Sequence, residues 1–176
     1  MFALRLVHLI EDHADRLAEG LMRKLQNSES CSELLDAVPA SELRHRAHEI
    51  YQNVADWLSN KSDSEIEERY IGLGARRAHQ GVPYSQMLYA LLATKENLWE
   101  FLQDEALLEP RELIGEMDLL YTLDRFFDRA AYFSSVGYES ERESELMRAL
   151  SPRSAEGWVP AISISAGCEL RPPRVS

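Results

Sequence analysis

The sequence predicts an all-α protein, a helical bundle with a long C-terminal exit helix, and three observations carry that prediction. Apolar residues recur at steps of three or four in five long successive segments, the spacing that places them on one face of a helix. Period-two alternation is nearly absent before residue 151. Turn-forming clusters fall between the periodic segments rather than inside them.

The first pattern carries Phe2, Leu6, Ile10, Ala14, Leu17, Leu21 and Leu25 and is read as one helix. A polar linker, Gln26-Asn-Ser-Glu-Ser30, leads to a short helical turn around Glu33-Leu-Leu35, which Val38-Pro39 ends. From Ser41, a second long pattern places Leu43, Ala47, Ile50, Val54, Trp57 and Leu58 on a shared face. Asn60-Lys-Ser-Asp-Ser64 is a loop in which Ser62 or Asp63 caps the next helix. That helix shows Ile66, Tyr70 and Leu73, runs into Arg77, and stops at Gly81-Val-Pro83. The next aligns Tyr84, Met87, Leu88, Leu91, Leu98, Trp99 and Leu102. Beyond Glu109-Pro110 a last segment carries two adjacent stripes: Leu113, Met117, Leu120 and Phe127, and Leu119, Leu123, Phe126 and Phe133. An apolar arc that wide belongs to a central helix or to one shared with a second chain. Its continuation, 138–147, turns polar. Residues 1–150 form the expected domain, and the proline-punctuated 151–176 is read as a poorly structured tail.

Composition excludes several classes. With 45% hydrophobic and 28% charged residues the chain is an ordinary globular one rather than a disordered one. No apolar run approaches the roughly 20 residues a bilayer crossing needs. A net charge of −11 repels phosphate, which argues against nucleic acid and anionic membranes as partners. Cys31 and Cys168 stand alone, so neither a disulfide framework nor a thiolate zinc site is expected. The N-terminus has no basic region or cleavage site, and the expectation is a cytoplasmic protein.

Catalytic signatures are missing, and the expectation is a non-enzymatic domain with no metal site. Gly72-Leu-Gly74 follows no strand, and His45 with His48 supplies too few ligands for a metal. Trp57, Trp99, Tyr70 and Tyr84 are read as core. The informative feature is charge on inward faces: Arg77 continues the Ile66–Tyr70–Leu73 stripe, Lys95 lies between Leu91 and Leu98, and Asp124 between Leu120 and Phe127. Buried charges need partners. Either Asp124 pairs with Lys95 or Arg77, or Arg77 and Lys95 line a small polar pocket for an anionic signal.

The stretch Ile71-Gly-Leu-Gly-Ala-Arg-Arg-Ala-His-Gln-Gly-Val-Pro-Tyr84, with Leu88-Tyr-Ala-Leu91 and Leu98-Trp-Glu-Phe-Leu102, resembles the RsbRD-type N-terminal sensory domain of RsbT co-antagonist proteins. The resemblance covers residues 1–150. It implies a globin-like bundle, a role in signal input, and other signalling proteins as partners. The same stretch is similar to globin-coupled oxygen sensors, which carry a haem-ligating His here. Aligned on Gly81-Val82-Pro83, that position is Arg77; aligned on Ile71-Gly72, it is Ala75. The implied cofactor is therefore none, with a haem or metal sensor using His79 or His48 as the alternative. A parallel homodimer through residues 113–147 is the expected assembly.

Overall fold

A computed structural model describes residues 3–59, 62–105 and 110–150 of the chain, and among these every regular element is helical. In order they are α1 (Ala3–Asp12), α2 (Ala14–Gln26), a 3₁₀ turn (Glu29–Cys31), α3 (Ser32–Ala37), α4 (Ala40–Gln52), α5 (Val54–Ser59), α6 (Asp63–His79), α7 (Tyr84–Glu105) and α8 (Pro110–Leu150). The tail expected at 151–176 lies outside the described residues.

Two of the expected long helices are each broken once. The first gives way at His13 (φ −109°, ψ 17°), whose imidazole takes the Leu9 carbonyl in place of a regular helical turn. The other gives way at Asn53 (φ −119°, ψ 29°), whose amide donates to Glu49 O. Glu11 of α1 then accepts the freed amide of Ala55 at 2.9 Å. Both breaks have the same cause, a side chain competing for backbone groups, which periodicity does not register because the apolar spacing runs on undisturbed. Ser62 caps α6 as expected, in a reciprocal capping box with Glu65.

The bundle closes as a ring. Antiparallel α2 and α4 are joined at Asp15–His48 and Glu19–Arg44. Next, α7 runs antiparallel to α2, with Lys24 between Glu96 and Glu100 and Arg16 on Glu105. A buried polar knot ties three helices: Asn97 donates to Leu17 O and Tyr51 Oη, and Tyr51 donates to Thr94 O. Then α8 lies antiparallel to α7 through Lys95 and Tyr84. Finally α6 lies parallel to α8, from Asp63 beside Arg129 to His79 beside Glu145.

Contact between α6 and α8 is set by two glycines. A methyl added at Gly74 would sit 1.9 Å from the Ser134 carbonyl oxygen, and one at Gly137 would sit 2.0 Å from that of Ile71. Backbone therefore touches backbone, as small residues at a crossing allow. Leu123, Phe126, Phe127, Ala130 and Ser134 of α8 are buried, and the Phe126 ring packs on Trp57 and Tyr70. Trp57 and Tyr70 are core, as predicted; Tyr84 lies at the surface against Tyr138.

Gly137→Ala should lower the unfolding free energy by about 1–3 kcal/mol or more through overpacking, seen as an earlier urea midpoint. Gly72, on the same helix as Gly74, has nothing within 4 Å of an added methyl. Gly72→Ala should be neutral or stabilising, by up to about 1 kcal/mol. Equal effects at the two positions would contradict the close crossing.

Candidate functional site

The seam between α4 and α6 is bridged by long charged side chains, Arg77–Glu42 at 2.8 Å and Arg69–Glu49 at 2.6 Å. Beneath it lies a small cavity of about 70 Å³, partly open to solvent. Its wall is apolar, drawn from Leu21, Leu34, Ile50, Leu73 and Leu91 among others, except for Thr94 and the two guanidinium side chains of Arg46 and Arg77. An apolar cavity with a few convergent polar groups is the usual make-up of a ligand site, although this one is far below the roughly 300 Å³ at which such pockets begin.

Arg77 is placed there by the end of α6. Gly81 takes the left-handed conformation at φ 74°, which costs glycine nothing. The amides of Gly81 and Val82 then return to the carbonyls of Ala78 and Arg77, the double closure of a Schellman motif. This turn buries Val82 and leaves the Arg77 side chain on the inward face, only 4% exposed. Its guanidinium donates to Glu42 at 2.8 Å and to Gln80 at 2.6 Å. Burial pulls the Arg77 guanidinium below its ordinary value, and Glu42 works against that shift. Burial alone would raise the Glu42 carboxyl. The hydrogen bond and charge of Arg77, with Arg46, outweigh it and hold the group below the ordinary carboxylate value.

The turn is also fastened to α8. Tyr138 Oη donates to the Val82 carbonyl at 2.7 Å, and Tyr84 Oη meets Ser135 Oγ at 2.8 Å. A continuous set of contacts thus runs from the cavity wall to the last helix.

Of the three inward charges, the structure brings two together and sets the third apart. Lys95 reaches Asp124 at 2.5 Å and Asp128 at 2.9 Å, at the half-exposed α7–α8 edge. Burial lowers the Lys95 ammonium, but the two carboxylates more than compensate and raise it. Arg77 takes Glu42 instead, so Arg77 and Lys95 do not share one pocket: Lys95 is not in the cavity wall. Glu42 was invisible to the sequence reading because it stands on α4, far along the chain. Its inward position shows only once α4 and α6 are antiparallel.

The histidines fall outside this cavity. His79, the alternative haem ligand, is 77% exposed and faces Glu145 of α8 at 3.9 Å. His45 and His48 border an open groove between α2 and α4, with His48 at 3.3 Å from Asp15. No helix among the described residues is long and apolar enough to cross a membrane.

Fold and site together define an all-helical bundle domain with a small, largely apolar cavity and a long helix that leaves it. A family model for the RsbT co-antagonist protein rsbRD N-terminal domain matches residues 14–153, and the chain belongs to that family. Its place is therefore in signal regulation, alongside other signalling proteins, and not in an enzyme family. Comparison with curated proteins and with solved structures gives no match. The globin-like detail rests on the sequence resemblance alone.

The depressed Glu42 carboxyl fixes a pH dependence. Its folded value lies below the unfolded one, so the pair stabilises the fold fully above the ordinary value of about 4.3. That contribution is lost as pH falls through the lower folded value. Glu42→Gln should destabilise at pH 7, by leaving Arg77 without its carboxylate, and should flatten the acid limb of a plot of urea midpoint against pH. An unchanged acid limb would remove Glu42 from this role.

Proposed function

We propose that the domain is a signal-input element in which Arg77 senses a change at the cavity and α8 carries it outward. The observation behind this reading is the run of contacts from Arg77 through Gln80, Val82 and Tyr84 to Ser135 and Tyr138. A small anionic group that displaced Glu42 from the guanidinium would also disturb Gln80. The 80–84 turn that fastens α8 would move with it. Lys95, Asp124 and Asp128 act in this scheme as the clamp between α7 and α8, a positioning role. The exposed place of His79 favours this non-haem reading over a haem sensor ligated there.

Assembly follows from the other side of α8. Buried Leu123, Ala130 and Gly137 mark the face turned to the bundle. On the opposite side Met117, Tyr121, Tyr132, Val136, Leu146 and Leu150 are exposed at helical spacing. This is not either of the two stripes singled out in the sequence, apart from Met117. Core packing accounts for most of those stripes, and the exposed row is what remains. The occupant we infer is a second copy of the chain in parallel, which sets Tyr132 against Tyr132 and Val136 against Val136 and lets both exit helices leave side by side.

Analytical ultracentrifugation of the wild-type chain should show a dimer, and Val136→Glu should shift it to monomer with unchanged helical circular dichroism. A wild-type monomer at every concentration would end the dimer reading. For the input, chemical-shift mapping with small anions should move Gln80–Tyr84 and 134–138 together, and Arg77→Met should abolish the response. Shifts confined to surface lysines would count against Arg77 as the sensor.

A further inference from the structure

Where α6 ends, the inward stripe of α8 changes character. Residues 130, 134 and 137 of that stripe are the buried Ala, Ser and Gly, and the last two touch the α6 backbone. The next positions on the same face are Glu141 and Glu145, one helical turn apart. Both are partly covered, at 26% and 27% exposure, and they face the last turn of α6, which carries His79. One donor atom each from His79, Glu141 and Glu145 lies within 4.8 Å of the other two. His79 Nδ1 stands 3.9 Å from Glu145 Oε1.

We propose that His79, Glu141 and Glu145 form a binding site for a divalent transition-metal cation, zinc by its donor set, that pins the end of α6 to the exit segment of α8. Bonds of about 2.0–2.2 Å to nitrogen and carboxylate oxygen bring two donors on one ion to roughly 3–3.5 Å apart. The observed spacing closes by small side-chain adjustments, without backbone movement. The backbones are already held close: the contacts of Gly74 with Ser134 and of Gly137 with Ile71 lie directly before the site and set the distance between the helices.

Three further features suit a cation. Arg142 binds Glu145 through Oε2 at 2.8 Å, and it is the other oxygen, Oε1, that faces His79. Arg148 holds Glu141 through Oε1 at 2.7 Å. Outer partners that grip one carboxylate oxygen orient the other, as is common around metal ligands. The site also lies at the C-terminal end of a 17-residue helix, where the backbone dipole favours positive charge. An imidazole in the set selects zinc-like ions over calcium or magnesium, which take oxygen donors. Three protein donors leave a position for water. A bound ion would join the last turn of α6 to residues 141–145 and stiffen the segment through which α8 leaves the bundle.

The test is calorimetric titration of the full chain, purified without a histidine tag and dialysed against chelator, with Zn²⁺, and with Co²⁺ as a visible-absorbance probe. The expected result is one saturable Zn²⁺ per chain, tetrahedral or five-coordinate Co²⁺ bands displaced by Zn²⁺, and at least tenfold weaker binding in both His79→Ala and Glu145→Gln. These side chains lie at the surface, so circular dichroism of the variants should match wild type. His48→Ala should bind as wild type does. No saturable binding would overturn the proposal and leave the trio as an ion-pair network. Binding insensitive to His79→Ala but lost in His48→Ala would overturn it too, assigning the ion to the α2–α4 groove. Equal affinity for Mg²⁺ would overturn the choice of metal class.

Discussion

The placement of the last helix in this domain depends on one close backbone-to-backbone approach, the parallel crossing of α6 and α8 at Gly74 and Gly137. Side chains usually hold helices 8–10 Å apart. Here a carbonyl oxygen occupies the place of each missing Cβ. The contact leaves no slack, so a shift in α6 cannot be absorbed by rotamer changes at the interface. It must be passed to α8 or resisted by the rest of the bundle. The same contact decides which faces of α8 are core and which are left exposed.

Arg77 matters because of where that rigid pair ends. Its backbone carbonyl closes the turn after α6, and its side chain is one of the two guanidiniums in the wall of the cavity. Removing a charge from water is costly, and one carboxylate and one amide share the cost of holding it. A largely buried pair of this kind is weak evidence for stability. The turn, the cavity and α8 are thus tied to one guanidinium. The Tyr51–Asn97 knot plays the complementary part on the far side of the bundle, with each of its bonds made to a backbone carbonyl or to its own partner. It fixes α2, α4 and α7 to one another.

Much of the fold was visible in the sequence, for physical reasons that can be named residue by residue. Ser62 with Glu65, and Gly81 with Pro83, are local signals whose meaning depends on a few bonds along the chain. Arg77 stood out because a charge in an apolar stripe is costly wherever the helix packs. What it would pair with was not visible. Asp124 was a candidate because it also interrupts a stripe, yet it serves Lys95, and Glu42 takes Arg77 from a position that reads as an ordinary solvated acid. His79 reads as an outward residue, and it is one; its two glutamate neighbours on α8 become neighbours only through the helix crossing.

By itself, then, the sequence determined the helical class, the places where most helices begin and stop, and the presence of an inward cation at Arg77, since all of these follow from spacing and local hydrogen bonding. The breaks at His13 and Asn53, the parallel docking of α6 on α8, the choice of Glu42 over Asp124 and the gathering of His79 with Glu141 and Glu145 were decided only in the tertiary structure. Each depends on which distant backbone comes close. A pattern of 3.6 residues says which face of a helix is buried, but not against what.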